Sequence, residues 1–86
     1  MKTCSAAIAF YDQVLDELDK QQLTPFATLF HFSSPEWFWR EVDGRRGWER
    51  ADAQQLWERY VSALLKHFGP RIRHWITLNE PMVYLN

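Results

Sequence analysis

The sequence predicts an α/β fold in the order helix, strand, helix, strand, with the two strands parallel. Two amphipathic stretches at helical spacing and one apolar run behind each of them predict it.

The first helix begins at Ser5, a residue type suited to capping. Ile8, Tyr11, Val14, Leu15 and Leu18 lie on one face, and Asp12, Asp16, Glu17, Asp19 and Lys20 on the other. Pro25 blocks its continuation, and residues 26–32 then read as a strand buried on both faces, as in parallel sheets. Residues 33–50 form a long connection that holds Pro35, Gly44 and Gly47 together with Trp37, Phe38, Trp39 and Trp48. That is too aromatic for a solvated linker, and loops of this length are often functional. Asp52 caps the second helix, whose stripe of Leu56, Trp57, Tyr60, Val61, Leu64, Leu65 and Phe68 runs up to the stop at Gly69 and Pro70. Residues 74–79 read as the second strand, closed by Glu80 and Pro81.

The last three elements make one βαβ crossover, right-handed by the usual rule. Residues 1–86 are expected to be a single unit. A (β/α)8 TIM barrel needs about 250 residues, so this chain supplies two of its eight strands. Two strands leave sheet edges open, and association into a homo-oligomer is expected. The abrupt start and the end at Asn86, just after an apolar run, suggest a segment of something longer.

Composition narrows the function classes. At 47% hydrophobic and 16% aromatic, the chain can build a core. Ten Lys and Arg balance eleven Asp and Glu with no basic run, so nucleic acid is not an expected partner. No apolar stretch approaches the roughly 20 residues of a membrane helix, and no signal-peptide core follows Met1. A cytoplasmic protein is expected, in keeping with the single Cys4. His31, His67 and His74 are too scattered for a metal site, and no cofactor is expected.

In parallel sheets the reacting groups gather at the carboxyl ends of the strands. His31 stands after the first strand, and Asn79 and Glu80 after the second, so the three can converge. A carboxyl at Glu80 against Trp75 and the loop aromatics would be desolvated, which favours the protonated form and suits a general acid. Asn79 would donate to a hydroxyl, and Phe32, Trp37, Trp39 and Trp48 would either stack on a sugar ring or simply pack. Carbohydrate is the substrate class that uses all of these groups. Each also has an ordinary reading, since a strand-end Glu is commonly solvated and a lone His structural.

Phe10-Tyr11-Asp12, residues 25–32, Pro35, Gly47-Trp48 and residues 74–81 (His-Trp-Ile-Thr-Leu-Asn-Glu-Pro) together resemble glycoside hydrolase family 1, in that family's order and over almost the whole chain. The resemblance implies a retaining β-glycosidase of the β-glucosidase type. This chain would correspond to the barrel's second helix, third strand, third helix and fourth strand. It implies Glu80 as acid/base, His31 as a hydrogen-bond partner of the sugar, and Asn79 at the 2-hydroxyl. Phe32 falls with them in substrate binding, but Phe32-Ser33-Ser34-Pro35 replaces the Trp-Asp-Leu-Pro of many members, which leaves sugar preference open. The family's nucleophile motif, of Glu-Asn-Gly type, does not occur in these residues. Hydrolysis of β-glucosides would therefore be weak or depend on association, the alternative being a non-catalytic barrel fragment that folds by association and at most binds sugar.

Overall fold

The computed structural model describes residues 4–85. Helix α1 spans Ser5–Lys20, strand β1 Phe26–Phe30, helix α2 Ala53–Phe68 and strand β2 His74–Leu78. Three 3₁₀ turns complete the chain, at Glu36–Trp39, Gly47–Glu49 and Pro81–Leu85. The order of helices and strands is the one the hydrophobic periodicity predicts.

Cys4, not Ser5, occupies the N-cap of α1, and it makes no side-chain cap. At the other end, Gln22 turns into the left-handed region at φ 57°. Its N–H donates to the Asp19 carbonyl and that of Leu23 to the Leu18 carbonyl, which satisfies two of the carbonyls a helix end leaves over. The chain then reverses into β1.

Strands β1 and β2 pair in parallel, in register from Phe26↔His74 to Phe30↔Leu78, with α2 in the connection between them. Leu15, Phe68 and Ile72 form the buried core between α1 and the end of α2, and Ile8, Leu18, Ala27, Leu64 and Trp75 pack on it. An ionic seam closes the same junction. The Arg71 guanidinium donates to Asp16 and Asp19 at 2.9 Å each, and His67 Nε2 lies 2.9 Å from Asp12.

The expectation of a strand buried on both faces is not met. Leu29 and Phe30 are buried, but Phe26 is 65% exposed and Ile76 46% exposed. Parallel strands are buried on both faces only where layers lie on both sides, and two helices do not supply them.

The long connection is more ordered than its composition suggests. Asp43 and Gly44, both at positive φ (51° and 77°), form a two-residue turn flanked by the antiparallel bridge Val42↔Arg45. Asp-Gly is the sequence such turns favour. Around it the rings settle into a packed cluster. Trp48 meets Phe30, Phe38 and Trp57 edge to face, with centroids 5.2 to 5.5 Å apart.

Candidate active site

The carboxyl end of the sheet holds the residues with chemistry to offer. The Asn79 N–H donates to the Phe30 carbonyl at 2.8 Å, which extends the ladder one step past the last paired residues. The same offset sets His31 beside Asn79 and Phe32 beside Glu80 along the backbone. The strand itself ends at Phe30, two residues before the expected end at position 32, because Phe32 turns to φ 67°. Glu80 turns likewise, at φ 44°, directly before Pro81. A 3₁₀ turn beginning at Pro81 follows, with the Val83 N–H donating to the Glu80 carbonyl.

His31, Phe32 and Glu80 are exposed, and Asn79 is half-buried. The His31 and Phe32 rings meet at a right angle, 5.3 Å between centroids. Glu80 does not have the apolar surroundings expected of it. The Trp75 indole donates instead to the Ile72 carbonyl at 3.0 Å, and its ring packs on the core behind the sheet. Solvent therefore reaches the Glu80 carboxyl in this chain.

The aromatic residues divide between the two roles open to them. Phe38 is buried, and Trp48, half-buried, packs between the Phe30 ring of β1 and the Trp57 ring of α2. Trp39 stays 40% exposed, with its indole N–H donating to the Ser34 hydroxyl. The loop carboxylates Glu36, Glu41, Asp43 and Glu49 are all exposed, as loop tips usually are. His74 stacks on Phe26 at 4.5 Å, and His67 is engaged with Asp12 and Phe68, so both have packing partners. Among the described residues no group of three His, Cys, Asp or Glu could hold a metal ion, and no helix is long and apolar enough to cross a membrane.

Arg50 escaped the sequence reading. Its side chain is only 9% exposed. It donates to the carbonyls of Trp37 and Phe38 and grips both Asp52 carboxylate oxygens at 2.8 and 2.9 Å. It thereby ties the loop after β1 to the start of α2. The carboxylate two residues on is the one available signal.

The pattern for Glycosyl hydrolase family 1 matches residues 2–86. Among curated relatives, a 1,4-beta-D-glucan glucohydrolase of Thermotoga neapolitana is 37% identical over 82 residues, 95% of this chain and 18% of that protein. The thermostable beta-glucosidase B of Thermobispora bispora is 38% identical, over 91% of this chain and 16% of its own length. Beta-glucosidase 14 of Arabidopsis thaliana is 38% identical, over 90% of this chain and 15% of its own. The chain thus spans less than a fifth of the length of these relatives.

Proposed function

This chain belongs to glycosyl hydrolase family 1, and on that premise we propose that Glu80 is the acid/base of a β-glucosidase-type hydrolysis. The observation that carries the reading is the run Asn79-Glu80-Pro81 immediately past β2, level with His31 past β1. The relatives' names, beta-glucosidase and glucan glucohydrolase, support a β-glucoside as the substrate class.

In this reading Glu80 gives its proton to the glycosidic oxygen as the bond to the leaving group breaks. It then takes a proton from the water that releases the sugar. His31 and Asn79 hydrogen-bond the sugar hydroxyls, and the Phe32 ring lies against the ring face. A retaining reaction needs a second carboxylate about 5 to 5.5 Å away as nucleophile. These residues carry no Glu-Asn-Gly motif, so that group comes from elsewhere: a loop carboxylate, a neighbouring subunit of a homo-oligomer, or sequence outside these residues. The TIM-barrel character of the assembly and a cytoplasmic setting belong to the same reading.

The test is the rate on an aryl β-glucoside, measured with purified chain against Glu80→Gln at several protein concentrations. Activity that rises more than linearly with concentration and is lost in Glu80→Gln is the expected result. Activity undiminished in the variant overturns the proposal.

The second reading is a barrel fragment that binds sugar without turning it over. The exposure of Glu80 favours it. It expects no hydrolysis above buffer at any concentration, together with a change in tryptophan fluorescence on adding glucose.

A further inference from the structure

We draw no further inference here: the strongest candidate, the aromatic cleft between the loop after β1 and helix α2, is an apolar groove, and nothing in the structure shows what covers it.

Discussion

Phe32 and Glu80 stand two residues beyond Phe30 and Leu78, the last paired positions of their strands, and both adopt left-handed backbone, at φ 67° and 44°. Two neighbouring parallel strands therefore leave the sheet through the same kind of bend. His31 and Asn79 sit just before it. For residues other than glycine, left-handed backbone costs roughly 1–2 kcal/mol per residue, so the end of the sheet that carries the candidate chemistry is also a strained one.

That strain is measurable at Phe32. Asn tolerates left-handed φ and β-branched side chains do not. Phe32→Val should lose about 1–2 kcal/mol relative to Phe32→Asn. Urea midpoints of the two variants check this, and equal midpoints would show that the bend relaxes without cost.

Tyr60 makes a contact that also bears on association. Phe30 turns its carbonyl toward β2, where the Asn79 N–H meets it. Successive strand residues point their backbone groups to opposite edges, so the Leu29 carbonyl faces the open edge of β1. The Tyr60 hydroxyl donates to that carbonyl. Tyr60→Phe should cost about 1–2 kcal/mol and leave an acceptor ready for another chain, raising the tendency to associate. Equilibrium unfolding and sedimentation read the two effects separately.

Burial raises the Tyr60 hydroxyl above its ordinary value of 10.0, with a smaller contribution from Tyr11. The stabilisation linked to the neutral hydroxyl is therefore complete below pH 10 and lost as pH rises through the higher folded value. Stability of the unaltered chain should fall more steeply above pH 10 than that of Tyr60→Phe. Parallel slopes for the two proteins would show that the hydroxyl does not titrate with folding.

The elements and their order were legible because each depends on local spacing. Val14, Leu15 and Leu18 declare α1, Leu64 and Phe68 declare α2, and Pro25 and Gly69 mark two boundaries. The caps were not legible. Asp52 has the right side chain in the right place, but Arg50 takes both its oxygens, so α2 starts without a side-chain cap. Exposure was not legible either, since a strand such as residues 26–30 is written for layers that this length of chain does not contain. At the candidate site the residue types and their level along the strands could be read. The position of Trp75 could not, because the competing acceptor, the Ile72 carbonyl, is a backbone group that every residue carries.

Gly47 is required by two independent constraints. Its φ is 55°, and a Cβ there would lie 2.2 to 2.9 Å from ring atoms of Trp39. Gly47→Ala must therefore push the indole aside, away from its bond to Ser34, and should cost about 1–3 kcal/mol. Gly44 shares the positive φ but opens onto empty space, so Gly44→Ala should cost about 1 kcal/mol. Adding Trp39→Ala should recover part of the loss in Gly47→Ala and none in Gly44→Ala, which a double-mutant cycle measures.

Arg50 and Asp52 give the prediction with a defined direction in pH. The hydrogen bond from Arg50 holds the Asp52 carboxyl below its ordinary value of 3.8, against a smaller opposing effect of burial. A depressed folded value means that the linked stability is fully present above pH 3.8 and lost as pH falls through the folded value. Asp52→Asn should therefore flatten the acid limb of the stability profile while leaving its alkaline limb unchanged. Arg50→Lys separates charge from shape. Lysine keeps the positive charge but lacks the fork that meets two carboxylate oxygens and two carbonyls at once, so the loop from Trp37 to Trp48 should loosen even at neutral pH. Exchange of the Phe38 and Val42 amides, which donate to the Pro35 and Arg45 carbonyls, would report that loosening. If they stay as protected in Arg50→Lys as in the unaltered chain, charge alone holds the loop and the geometry of the fork is immaterial.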